Sequence, residues 1–146
     1  MKNKFNLVDK IIVSVLVCIE DLEKVWMYRN ICFNINNQTD FKINLIINEN
    51  TQSLRILDGI IRNHIEFLII DEENSDELFE EVEKEIYKVC PETEWIVGTY
   101  TGYKHIYRIN AHLKCIEHMQ IRRNMFQEDM QSFIIYLLYK KKAERE

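Results

Sequence analysis

Two carboxylates placed two residues apart, Asp71 and Glu73, follow directly on the apolar run Phe67-Leu68-Ile69-Ile70. If that run is a strand, residues i and i+2 project to the same side, so both carboxylates leave its end together as a clamp for Mg²⁺ or Mn²⁺. Two such cations about 4 Å apart would stabilise the attacking and leaving oxygens of a phosphoryl displacement. The same acids also suit a helix start, because Asp71, Glu72, Glu73, Asp76 and Glu77 surround a predicted N-terminus where the macrodipole favours negative charge. His105 follows the turn Thr101-Gly102-Tyr103-Lys104 on a predicted strand, where it shares a face with Tyr107 and Ile109 while Lys104, Ile106 and Arg108 share the other. Beside the acid-bearing strand it would reach a phosphate or a leaving group; elsewhere it is a structural hydrogen bonder.

The elements that must position these groups are read from periodicity. Apolar residues at Leu7, Ile11, Val15, Cys18, Leu22, Val25 and Trp26 fit helical spacing over 7–30, although the β-branched density at 11–17 leaves a strand open. Ile31 to Ile35 is a short apolar alternation, followed by a polar turn cluster of Asn34, Asn36, Asn37 and Asp40. Lys42 to Asn48 reads as a strand, and Thr51 as the cap of a helix over 52–63 with Leu54, Leu57, Ile60 and Ile61 buried. A strand over 65–70 leads to a helix over 75–90, opened by Asn74 with Glu77 and closed by Pro91. Trp95–Thr99 and His105–Ile109 read as a hairpin around Gly102, which makes the sheet mixed. Leu113, Ile116, Met119 and Gln120 suit a helix over 111–124, and Phe133 to Tyr139 is apolar but ambiguous, before a charged tail from Lys140. One α+β domain over 1–146, a mixed sheet with flanking helices, is the expected architecture.

A strand ending in acid-x-acid, a helix, a strand leading into Thr-x-Thr-Gly and then x-x-His-hydrophobic-Tyr-Arg resembles the core of the archaeo-eukaryotic primase superfamily. The similarity is to the primase-polymerase domains of plasmid and viral replication proteins, over about residues 65–110. The resemblance implies that Asp71 and Glu73 hold catalytic Mg²⁺ or Mn²⁺ and that His105 contacts the phosphates of an incoming nucleotide. It implies further that Thr101 and Gly102 set His105, and that Arg108 contacts phosphate or template. The family's third carboxylate is left open: Gln120 stands in that place in Met119-Gln120-Ile121-Arg122, and Glu117, Glu128 or Asp129 are the candidates to substitute.

Charge is divided along the chain, with residues 1–100 carrying 10 Lys and Arg against 19 Asp and Glu and the remainder 9 against 5. A basic C-terminal third suits an anionic partner, and Lys104, Arg122, Arg123 and Lys140 to Lys142 are candidate nucleic-acid contacts; solvation of the surface accounts for the same pattern. Tyr100, Tyr103 and Tyr107 could stack on bases or simply pack. His112, Cys115 and His118 would drift by about 60° at each helical step of three and so converge poorly on a metal. The four cysteines show no CxxC spacing and are expected as free, mostly buried thiols. Lys2 and Lys4 precede an apolar run over 11–19 that is too short to span a bilayer and lacks a small residue at a cleavage site, so the expectation is a core helix of a cytoplasmic protein.

Together these readings lead to a metal-dependent, primase-polymerase-like nucleotidyltransferase of viral or plasmid origin, or its degenerate remnant, acting on nucleotides and a nucleic-acid template. The alternatives are a non-catalytic interaction protein that binds nucleic acid, a replication factor or a host protein, and a phosphodiesterase or nuclease using the same acids and His105 for hydrolysis. No membrane partner is expected.

Overall fold

The structure is a computed structural model. It describes residues 10–49, 52–89, 94–100, 114–122 and 124–145, without the side chains of 84, 87, 114–118, 144 and 145. In order the elements are β1 (Ile11–Ile19), α1 (Lys24–Gln38), β2 (Phe41–Asn48), α2 (Ser53–Asn63), β3 (Phe67–Asp71), α3 (Ser75–Val89), β4 (Glu94–Thr99), β5 (Lys114–Gln120) and α4 (Gln127–Arg145).

The five strands form one sheet in the order β2-β1-β3-β4-β5. Every pairing is parallel, with Ile11 opposite Phe41, Ile19 opposite Asp71, Phe67 opposite Ile96 and Thr99 opposite Gln120. The expected α+β fold with a mixed sheet is therefore corrected to a parallel α/β sheet. Both sides of β4 are taken by parallel neighbours, β3 and β5, which leaves no side for a hairpin partner. The proposed hairpin strand over 105–109 and its turn lie outside the described residues.

Alternation within each strand feeds two cores. Val13, Val15, Val17 and Ile19 of β1, Phe67 and Ile69 of β3 and Ile96 of β4 meet Tyr28, Ile31 and Ile35 of α1 and Met130, Ile134, Leu137 and Leu138 of α4. On the other face Leu16, Cys18, Leu68, Ile70, Trp95 and Val97 meet Ile56 and Ile60 of α2 and Phe79, Val82 and Ile86 of α3. A strand buried on both sides is apolar at nearly every position. That is why Ile11–Ile19, expected as a core helix, is a central strand: a continuous apolar run satisfies helical spacing by chance, and its β-branched residues decide for the extended chain. The Ile31–Ile35 alternation belongs to α1, where residues 28, 31 and 35 fall on one helical face. The expected helix over 111–124 contains strand β5 instead.

The strand over 42–48 and the helices over 52–63 and 75–90 match their expectations within two residues at each end. The charged tail is not wholly a solvated one. Lys141 is only 4% exposed. Its ammonium lies 3.1 Å from Glu66 Oε2 and donates to the Glu94 carbonyl at 2.9 Å, tying α4 to the entrances of β3 and β4. No helix among the described residues is long and apolar enough to cross a membrane.

Ile69 sits fully buried in the middle of β3, so Ile69→Ala should lower unfolding stability by about 2–5 kcal/mol, read from urea denaturation as a lower midpoint at unchanged slope. Burial, with the Glu72 carboxylate nearby, pushes the Cys18 thiol from its ordinary 9.0 up to about 12, and burial pushes Cys32 likewise. The folded chain thus keeps thiol protons that the unfolded chain gives up above pH 9.0. Stability from this source should be intact below that pH and fall as pH rises through it towards about 12. Denaturation curves across that range should show the fall, and Cys18→Ala with Cys32→Ala should flatten it.

Candidate functional site

The carboxyl ends of β1, β3 and β4 open into a cleft of about 360 Å³, lined by Glu20, Asp21, Lys24, Asp71, Glu72, Glu73, Tyr100 and Asn124. Its place follows from topology. The chain leaves β1 towards β2 on one side and later continues through β3 to β4 on the other, and such a switch point leaves a crevice at the strand ends.

Asp71 is the last residue of β3 and only 3% exposed. Strand alternation after Phe67 and Ile69 turns its side chain to the α1 side. Lys24 opens α1 and Tyr28 lies one turn later on the same face, so both reach the carboxylate. The Lys24 ammonium donates to Oδ1 at 2.9 Å, and the Tyr28 hydroxyl donates to Oδ2 at 2.6 Å. Tyr100, just beyond β4, donates its hydroxyl to Oδ1 at 2.5 Å. The Lys24 ammonium also stands 3.4 Å from the Tyr100 hydroxyl and 5.9 Å from the centre of its ring. Tyr100 is fixed through its main chain: its N–H donates to Ser75 Oγ at 3.0 Å, and its carbonyl accepts from Gln120 Nε2 at 3.3 Å.

One cation and two phenols therefore answer a nearly buried carboxylate. The Tyr28 phenol is held well above its usual 10.0 by burial first and then by the Asp71 charge it donates to, so it remains a donor throughout the neutral range. Glu20, Asp21 and Glu73 stand exposed around this centre, and the Asp21 carboxylate accepts the Glu23 N–H at 3.0 Å. Hard carboxylate oxygens are the donors that Mg²⁺ or Mn²⁺ prefers. Among the described residues, though, no three His, Cys, Asp or Glu side chains are gathered as a ready-made metal site.

The structure brings some of the residues singled out in the sequence together. Asp71 and Glu73 do line one cleft, Asp71 inside and Glu73 at the rim. Arg122 is exposed, just past β5. His105, Thr101, Gly102, Lys104, Arg108 and Arg123 lie outside the described residues. Lys24, Tyr28 and Tyr100 were not anticipated as partners of Asp71, nor Glu20 and Asp21 as neighbours. One signal for the last two was present: Ile11–Ile19 is a second apolar run that stops at two acids, as Phe67–Ile70 does.

No protein-family model matches the sequence, and no curated protein matches it. Solved structures do match its fold. A CheY-like response regulator receiver domain protein from Methanospirillum hungatei JF-1 is 15% identical, with a TM-score of 0.56 over 92% of this chain and 99% of that one. The inactive form of the regulatory domain of the repressor of iron transport regulator (RitR) is 6% identical, with a TM-score of 0.55 over 87% and 95%. The non-phosphorylated HemR receiver domain from Leptospira biflexa is 15% identical, with a TM-score of 0.52 over 88% and 93%. These likenesses, with the all-parallel sheet, overturn the primase-polymerase resemblance. The nucleotidyltransferase, replication and nuclease readings built on that resemblance go with it, because the strand arrangement that carried them is not the one the chain adopts. The chain has the fold of receiver domains.

Proposed function

We propose that this chain is a receiver-like signalling module and that Asp71 is its phosphoryl acceptor. The observation that carries the reading is the position of Asp71: the terminal carboxylate of the central β3, at the floor of an acid-rimmed cleft, with a lysine ammonium already on one oxygen. Among proteins of similar fold, one is described as a non-phosphorylated receiver domain and another as the inactive form of a regulatory domain, which supports control through the state of such a site.

In the step proposed, an oxygen of the Asp71 carboxylate attacks the phosphorus of an acyl phosphate or of a phosphorylated protein donor. The bond from phosphorus to the leaving group breaks, that group departs with the electron pair, and nothing is oxidised or reduced. A divalent cation held by Asp71 with Glu20 or Asp21, and completed by water, would supply the positive charge that lets an anionic donor enter an acidic cleft. Lys24 supplies fixed charge at the acceptor itself. Because Lys24 and Tyr28 belong to α1, a change of charge on Asp71 acts directly on that helix, and the partners that fit are a donor protein and an effector that reads α1.

Incubation with acetyl phosphate and Mg²⁺ should add one phosphoryl group, seen by intact mass and mapped to Asp71. Asp71→Asn and chelation of the metal should each reduce labelling at least tenfold. Labelling that persists in Asp71→Asn would place the acceptor elsewhere.

A further inference from the structure

We infer that the two oxygens of Asp71 have separate duties: Oδ1 is the reactive atom and Tyr100 the latch displaced from it, while Tyr28 holds Oδ2 throughout. This rests on the phosphoryl-acceptor reading and names the residues that regulate that site.

The two oxygens differ in what surrounds them. The two partners that Oδ1 has among the described residues, Lys24 and Tyr100, line the cleft, so whatever enters meets that oxygen. The partner of Oδ2 is Tyr28, which is 1% exposed and packed into the core with Ile31 and Ile35 of its own helix. Tyr28 has no room to leave and keeps the carboxyl plane fixed.

The two partners of Oδ1 differ as well. An ammonium with three donors attracts added phosphoryl oxygens and can hold them together with the carboxyl oxygen. A phenol offers a single proton, and at 2.5 Å from Oδ1 it occupies space that phosphorus must take. A phosphorylated Oδ1 therefore retains Lys24 and expels the Tyr100 hydroxyl. The geometry permits this, because the Tyr100 main chain is anchored to Ser75 and Gln120 while its half-buried ring, packed in part against the core, lines the open cleft. The ring turns on a fixed hinge. Its departure also removes the polar contact between the Tyr100 hydroxyl and Lys24 of α1.

The test compares initial rates of labelling by acetyl phosphate and Mg²⁺ in the wild type, Tyr100→Phe and Tyr28→Phe, with folding checked by circular dichroism. Deleting a hydroxyl that competes for Oδ1 should raise the Tyr100→Phe rate about tenfold, and losing the Oδ2 anchor should lower the Tyr28→Phe rate by a similar factor. Both variants lose one hydrogen bond to the same carboxylate, so a merely structural role would move both rates the same way. If Tyr28→Phe fails to fold, the Tyr100→Phe rate decides alone. A rate equal to or below wild type in Tyr100→Phe overturns the latch while leaving Asp71 the acceptor. No labelling of any of the three proteins overturns the acceptor reading, and the latch with it.

Discussion

A carboxylate placed at the inner end of a central strand endures only if its charge is answered there, because burying an unpaired ion costs far more than any one packing contact returns. The pairing of Asp71 with Lys24 is that answer, and much of the architecture exists to permit it. Lys24 is brought in by the first turn of α1, Tyr28 by the second, and Tyr100 by the residue after β4, so one side chain ties together three elements separated by up to 76 residues in sequence. Removing one charge of such a pair leaves the other stranded. This couples the charge state of a single residue to the seating of a helix.

The sheet supplies the rigid ground. With helices on both faces, the central strands are apolar on either side, and two separate cores lock β1 and β3 in register before either reaches the cleft. Only past Ile19 and Ile70 does the sequence turn acidic, so polar chemistry is confined to the strand ends while the body of each strand has packing alone to perform. Lys141, joined to Glu66 and the Glu94 carbonyl, does a comparable tying task at the opposite pole, away from the cleft.

Part of this was legible in the chain. The abrupt stop of Phe67–Ile70 at Asp71 marked the strand end that opens into the cleft, and α2 and α3 were found because each helix buries one face only. The expected face of α2 was turned, however: Ile56 and Ile60 are buried, while Leu54 and Ile61 are exposed. The topology was not legible, for physical reasons. A strand covered on both sides loses the alternation that identifies strands, so β1 passed for a helix. In 114–120 the apolar spacing satisfied a helix as readily as the strand that forms. The partners of Asp71 were hidden because they lie 47, 43 and 29 residues away. Tyr100 suggested base stacking when its hydroxyl is the group that meets Asp71, and Glu20 and Asp21 fell inside the run of helical spacing over 7–30 rather than marking the end of a second strand. The supposed primase pattern was a local likeness in short motifs, and local likeness does not fix the order in which strands pair.

The most direct measurement is a crystal structure grown with Mg²⁺ and beryllium fluoride, a tetrahedral mimic of a phosphoryl group that bonds to a carboxylate oxygen. The result expected is beryllium on Oδ1 of Asp71, with the Lys24 ammonium against its fluorides, the Tyr100 hydroxyl swung away and the Tyr28 bond to Oδ2 intact. Beryllium on another carboxylate, or an Asp71 whose bonds to Lys24, Tyr28 and Tyr100 are all unchanged at saturating beryllium fluoride, would contradict it.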